Sequence, residues 1–324
     1  MAVRVTTAGR LHFGFRNLSL AHERLYGSLG LALETPRLVV DCERAEGVRT
    51  GHPDAERYAR RAVEVLDVPG ARVSVRETLP RHAGLGSGTQ FSLAVLSGIA
   101  RAYGREPRLE ERAPRLGRGG RSGVGIATFR EGGFVCDGGH PTTRFTAERP
   151  EDGSWRVPPV IARHPIPDGW RFLLVIPDVE PGKSGEQEDD DMRAVVERAS
   201  PGIADEITAI SARRVLPALV EGDLATFGAG IAEIGRLNGA WYADAQGGVY
   251  RPPVGDIVRE LEACRAIEGA GQSSWGPVVY GITDRERADR ARKSGRNALA
   301  AADVDGSVLV ASGRNTGASV DHTG

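Results

Sequence analysis

Residues 80–90 read Pro-Arg-His-Ala-Gly-Leu-Gly-Ser-Gly-Thr-Gln. Gly84, Gly86 and Gly88 alternate between a strand-like stretch and an apolar, helix-like one. Glycine permits positive φ and lets backbone N–H groups approach a ligand closely. A helix that starts there adds unpaired N–H groups and the positive end of its dipole. Together these make a cradle for phosphate or pyrophosphate, to which Ser87 and Thr89 add hydroxyls. Gln90, one turn into the helix, either bonds a ligand or caps. The plain alternative is a tight turn with Thr89 as N-cap. The run is neither a Walker-type loop nor a G-x-G-x-x-G fingerprint.

Three other groups carry polar chemistry. Arg10 and His12 lie two apart in a strand-like stretch and so share a face, which Gly14 continues without a side chain. An Arg fork there suits a carboxylate or phosphate; the alternative is a surface Arg and a structural His. Residues 183–191, Lys-Ser-Gly-Glu-Gln-Glu-Asp-Asp-Asp, hold one of only two lysines in the chain. A charge run is usually a solvated face or a helix start, and that reading covers Asp189, Asp190 and Asp191. Gln272-Ser273-Ser274-Trp275-Gly276 gathers an amide, two hydroxyls and an indole, with core packing as the alternative for Trp275.

These groups need elements to position them. Residues 3–50 read as strands and turns, with Val3, Val5, Leu11, Phe13 and Phe15 at period two. Ala59, Ala62, Val63 and Leu66 mark an amphipathic helix over 54–67. Val73 and Val75 mark a strand, and residues 89–103 a helix apolar nearly all round, hence buried. Residues 104–125 read as loop, and 129–137 as a strand pair bent at Gly132-Gly133. Residues 138–168, rich in Pro and Gly, are the expected inter-domain zone. Beyond them lie a buried strand at 171–176, helices at 188–199, 203–221, 223–237 and 255–267, a strand at 277–283, a helix at 285–302 and a strand at 306–312. The tail from Gly313 is expected to fray.

Composition narrows the classes. The 324 residues include 42 basic and 43 acidic side chains, a formal net charge of -1. That balance lacks the cationic surplus of a nucleic-acid binder. Two domains fit the length. No apolar run reaches the ~20 residues that span a membrane, and the N-terminus lacks a signal-peptide pattern. Cys42, Cys136 and Cys264 form no metal or disulfide pattern. A cytoplasmic protein with reduced thiols is expected.

Three motifs in order carry a resemblance. Thr7-Ala-Gly-Arg10-Leu-His-Phe-Gly14, the Pro80 to Gln90 loop, and Gly269-Ala-Gly-Gln272-Ser-Ser-Trp-Gly276 are similar to the three motifs of the GHMP superfamily of small-molecule kinases. The resemblance implies an α+β, GHMP-like two-domain fold: a ribosomal S5 domain 2-like unit over 1–165 carrying the phosphate loop, and a ferredoxin-like unit over 166–324. Kinases of this kind usually carry S-G-x-D in the middle of the chain. Here the stretch is Ser122-Gly-Val-Gly125, so the carboxylate position is glycine, which cannot orient an acceptor hydroxyl. An ATP-dependent small-molecule kinase stays open as the alternative.

Within the superfamily the chain more closely resembles the β-ribofuranosylaminobenzene 5'-phosphate synthases, on Arg10-Leu-His12, Gly84 to Gln90, Gln246-Gly-Gly248 and Gln272 to Pro277. That resemblance implies a decarboxylating C-ribosyltransferase. It would join phosphoribosyl pyrophosphate to an aromatic or heteroaromatic acid, releasing carbon dioxide and pyrophosphate. The Arg-rich, Lys-poor composition hints at a GC-rich bacterium and the C-nucleoside antibiotic branch. Under this reading Gly84, Gly86, Ser87, Gly88, Thr89, Gln90 and Ser184 hold the donor's phosphates. Arg10, His12 and Lys183 serve catalysis. Arg10, Gln272, Ser273, Ser274 and Trp275 hold the aromatic acid. Glu186 and Glu188 reach Mg2+ through water, the ion arriving with the pyrophosphate. Small molecules are the expected partners, with a homodimer open as the assembly.

Overall fold

The computed structural model describes residues 2–148, 150–180 and 186–323, with side chains for all of these but 186–188, 245 and 323. Two sheets organise it. The first holds β1 (Ala2–Asn17), β2 (Arg24–Arg44), β3 (Gly47–Arg49) and β4 (Gly70–Glu77). Helices α1 (Pro53–Leu66), α2 (Ser87–Ala102), α3 (Leu109–Arg112) and α4 (Val124–Glu131) are threaded among its strands. It continues with β5 (Phe134–Asp137), β6 (His140–Pro141) and β7 (Val160–His164). The second sheet opens with β8 (Trp170–Pro177). Next come α5 (Glu186–Arg198), α6 (Pro201–Ile210), α7 (Leu216–Glu221), α8 (Leu224–Gln246) and α9 (Val254–Glu262). It closes with β9 (Gly269–Gln272), β10 (Val279–Asp284), α10 (Ala288–Ala301) and β11 (Gly306–Ser312); β12 (Ser319–Thr323) ends the described chain.

The path of the first sheet is β12-β1-β2-β4-β3, all antiparallel but for β3 and β4. The long β2 serves two partners: its second half pairs with β4, its first half with β5 and β6. The second sheet, β11-β8-β10-β9, is antiparallel throughout. This is the α+β arrangement, with no single doubly wound sheet.

Strand periodicity explains how the layers meet. On β8, Phe172 and Leu174 face a core shared with Leu11, Phe13, Leu29 and Phe134 of the first sheet and Phe227, Ile231 and Ile234 of α8. Leu173 and Val175 face the opposite way, onto α9 and α10. A strand buried on both faces reads as the unbroken apolar run seen in the sequence. The helix α2 lies behind β1 and β2, with its residues from Gln90 to Ala100 buried all round. Gly98 lets it approach β2, since a Cβ there would lie 2.5 Å from Cys42 Sγ.

Two local expectations are corrected and one is refined. Residues 124–131 are helical, so only 134–137 of the expected strand pair is a strand. Their apolar residues Val124, Ile126, Ala127 and Phe129 are buried at helical rather than alternating spacing. The stretch 203–221 is helical throughout, as expected, but its winding changes midway. A π-helical turn over Ser211–Val215 joins α6 to α7 and widens the helix, where Pro217 has no N–H to continue the ladder and Ser211 Oγ donates to Ile207 O. The tail does not fray. Residues 319–323 pair with β1 from Ala2 to Thr6 and complete the first sheet. A division at residue 165 therefore leaves β12 across the cut from the sheet it completes.

Candidate active site

The loop after β4 turns into α2 through two left-handed glycines. Gly84 has φ +95° and Gly86 φ +75°. A Cβ on Gly84 would be driven into the Ser273 carbonyl oxygen, and one on Gly86 would come within 3.1 Å of Arg10 Cγ and Nε. No side chain caps α2. In its first turn the N–H groups of Thr89 and Gln90 bond back to Gly86 O, which leaves those of Ser87 and Gly88 to point outward. Gly88 opens the helix start further: a Cβ there would stand 3.3 Å from Tyr58 Oη and 3.4 Å from Arg118 Nη2. Outward N–H groups, a helix dipole and nearby guanidinium groups form a site for an anion.

Strand β1 and the turn after β9 lock this cradle. Arg10 Nη1 donates to Gly84 O at 2.6 Å, and Arg10 N to Leu85 O at 3.0 Å. Ser273 is fully buried. Its hydroxyl accepts from His12 N at 3.1 Å and donates to Gly84 O at 2.8 Å, tying strand, loop and turn at one oxygen. Ser274 N donates to His12 O and Val278 N to Ala83 O, at 3.2 and 3.1 Å.

On the other side of this lock lies a cavity lined by His12, Phe15, Asn238, Tyr242, Tyr250, Gln272, Ser274 and Trp275, with Gly14, Gly235 and Gly239 between them. A bulge in β1 between His12 and Gly14 shapes its wall. Gly14 has φ +129°, and a Cβ there would sit 2.5 Å from the Asn238 amide. That amide clamps Phe15 from both sides, accepting from its N at 2.7 Å and donating to its O at 2.9 Å. Trp275 leans on Tyr242, ring centres 4.5 Å apart. Gln272 is held by Arg251 N and Ser274 O, both at 3.3 Å.

Among the described residues no charged side chain lines this space. His12 is 4% exposed, and burial first, then the Arg10 charge, holds its pKa well below the usual value of 6.5. The imidazole is therefore neutral, and its Nδ1 bonds to no described group.

The residues singled out in the sequence divide three ways. Gly84, Gly86, Ser87, Gly88 and Thr89 are together at the cradle. His12, Gln272, Ser274 and Trp275 meet at the cavity. Others are placed differently from expectation. Arg10 is packed on the glycine loop and does not line the cavity, because its Nη1 reaches back to Gly84 O. Gln90 is 1% exposed; it accepts from Thr7 Oγ1 and donates to Gly125 O, so its amide joins α2 to the rest of the domain and faces no ligand. Ser273 is likewise a tie and not a lining group. Lys183 and Ser184 lie outside the described residues, as do the side chains of Glu186 and Glu188. Among the described residues no three His, Cys, Asp or Glu side chains cluster as a metal site.

The turn at Ser122 to Gly125 is bonded by the carboxylate of Asp137, which is fully buried. It accepts from Ser28 Oγ at 2.5 Å and from the N–H groups of Gly123 and Gly139, both at 2.9 Å. Burial raises its pKa while these bonds oppose the rise. With three donors attached it holds the turn and is not placed to serve an acceptor hydroxyl.

Sequence reasoning missed Phe15, Asn238, Tyr242 and Tyr250. Gly235 and Gly239, four apart on α8, were the available signal, since they clear one helix face.

The comparisons agree with this architecture. The model for the GHMP kinases N terminal domain matches residues 55–133, and that for the GHMP kinases C terminal matches 215–301. The β-ribofuranosylphenol 5'-phosphate synthase of Methanothermobacter thermautotrophicus is 33% identical over 97% of both chains. That of Archaeoglobus fulgidus is 33% identical over 98% of this chain and 99% of its own. Among solved structures, mevalonate pyrophosphate decarboxylase from Streptococcus pyogenes superposes with a TM-score of 0.68 at 10% identity, covering 97% of each chain. Homoserine kinase from Cytophaga hutchinsonii gives 0.64 at 17% identity, covering 99% of this chain and 97% of that one. No helix among the described residues is long and apolar enough to cross a membrane. By its matches along nearly its whole length, the chain belongs to the GHMP superfamily and, within it, to the family of the β-ribofuranosylphenol 5'-phosphate synthases.

Proposed function

We propose that the protein is a decarboxylating C-ribosyltransferase, which joins phosphoribosyl pyrophosphate to a ring carbon of an aromatic or heteroaromatic acid. The observation that carries this reading is one of adjacency. An anion cradle and an uncharged aromatic cavity share a wall made of Arg10, His12, Ser273 and Ser274. The names of the relatives, synthases of a ribofuranosylphenol phosphate, support it.

The donor's pyrophosphate sits on the first turn of α2, facing the N–H groups of Ser87 and Gly88. Arg10 and Arg118 offset the charge that builds on it as the bond to ribose C1 breaks. The acceptor ring lies against Trp275, Tyr242 and Phe15. Its carbon attacks C1, forming the C–C bond as pyrophosphate departs. The carboxylate on that carbon then leaves as carbon dioxide, and its bonding electrons return to the ring. No base is needed to remove a ring proton. A carboxylate among neutral groups is poorly solvated, which favours its loss. Lys183 and Ser184 belong to the donor's phosphates in this scheme. Mg2+ would arrive with the donor's pyrophosphate and supply positive charge against the leaving group, with Glu186 and Glu188 as the residues that would hold it through water.

Incubation with phosphoribosyl pyrophosphate and a panel of hydroxybenzoate, aminobenzoate and pyrazole carboxylates tests the reading. Carbon dioxide and pyrophosphate should appear in equal amounts. ATP consumption with no pyrophosphate release from the ribosyl donor would replace it with a kinase. The pyrazole arm decides whether the C-nucleoside branch applies.

A further inference from the structure

The cavity has a far end to which the reaction above assigns no role. From the cradle the turn runs back along β9: Ser274 sits against His12, Gln272 against Arg251, and Gly271 against Tyr280. A Cβ on Gly271 would lie 2.5 Å from Tyr280 Oη. Gly235 of α8 lines the cavity and meets two phenols at once. A Cβ there would be 3.4 Å from Tyr280 Oη and 3.7 Å from Tyr250 Oη.

Two hydroxyls thus converge on one glycine at the end of the cavity. Both are buried, and neither bonds to any described group. Burial pushes the Tyr250 phenol up to about 12 and that of Tyr280 well above its ordinary value, so both keep their protons and can donate. Buried hydroxyls are nearly always partnered, and an unpartnered one costs stability. Tyr250 and Gly235 line the cavity, so a ligand's polar atom that reaches this end meets the Tyr250 hydroxyl, with Tyr280 packed behind it against Gly271.

We propose that Tyr250, with Tyr280 behind it, is a specificity-determining pair that holds an oxygen substituent of the acceptor ring, on the side away from the carbon that joins ribose. The inference rests on the cavity being the acceptor site. A ring without that oxygen leaves both hydroxyls unpaired and is rejected, whereas a purely apolar pocket would discriminate weakly.

Calorimetric binding of 4-hydroxybenzoate and of benzoate, with pyrophosphate present, tests it on wild type, Tyr250→Phe and Tyr280→Phe. Each variant removes an unpaired hydroxyl and keeps the ring, so folding should survive, as a melting curve checks. Wild type should prefer 4-hydroxybenzoate at least tenfold. Both variants should lose the preference by weakening that acid alone, with benzoate unchanged. A preference kept in both variants overturns the pair's role. Equal binding of the two acids to all three proteins also overturns it, while the cavity stands as the acceptor site. If neither acid binds wild type, the assignment of the cavity falls and the pair's role with it.

Discussion

The cradle and the cavity share a wall but are built by different means. The cradle is mostly backbone from one short segment: glycines at 84, 86 and 88 and the first turn of α2. The cavity is side chains from distant segments: His12 and Phe15 of β1, Asn238 and Tyr242 of α8, Tyr250, and Trp275 after β9. A backbone site needs a local conformation and tolerates little change. A side-chain site needs the whole fold but can be altered one group at a time. The same scaffold can therefore keep its anion site while the neighbouring pocket changes.

That contrast can be broken at its strongest point first. Gly86→Val should abolish detectable binding of phosphoribosyl pyrophosphate. A β-branched residue does not adopt φ +75°, and its side chain would meet Arg10. Titration calorimetry reads this, and wild-type affinity in the variant would remove the cradle from the donor site.

Arg10→Ala comes next. Loss of a charge-assisted contact costs about 1.5–3 kcal/mol, roughly ten- to a hundredfold. The packing of Arg10 on the glycine loop puts that loss on the Michaelis constant of the donor, with little change in that of the aromatic acid. The opposite split would return Arg10 to the acceptor.

Trp275→Ala sharpens the other side. Aromatic pairs contribute about 0.5–1.5 kcal/mol beyond area burial. The constant for the acid should rise several-fold or more while that for the donor holds. Equal changes in both would make Trp275 a packing residue of the cluster it shares with Tyr242.

The smallest effect is a pH dependence of stability. The folded-state pKa of His12 is lowered, so between that value and about 6.5 the unfolded chain binds the extra proton. Stability contributed by neutral His12 is complete above about 6.5 and declines as pH falls through that window. His140, lowered to about 4 by burial, adds to the same trend. Melting temperatures of wild type and His12→Gln across this range should converge as pH falls. A constant difference would mean that His12 is protonated in the folded state.

Much of this protein is legible in its sequence. The helix at 53–66, the strand at 70–77, the buried helix at 87–102 and the strand at 306–312 follow from local periodicity, because burial on one or all faces imprints itself on neighbouring residues. The glycine loop follows from φ requirements that only glycine meets freely. Tertiary structure decided the rest. The tail pairs with β1 because that edge was otherwise open, which no local pattern in 319–323 reveals. Gln90 and Arg10 stand within ligand motifs, yet one is tied to Thr7 and Gly125 and the other to Gly84, partners 35 or more residues away in each case. Asn238 and Tyr250 carry no motif at all. They reach the site only because α8 packs against a bulged strand from the other end of the chain and the loop after α8 folds back beside Gln272. A backbone conformation is encoded where it occurs, whereas a cavity belongs to whichever surfaces folding brings together.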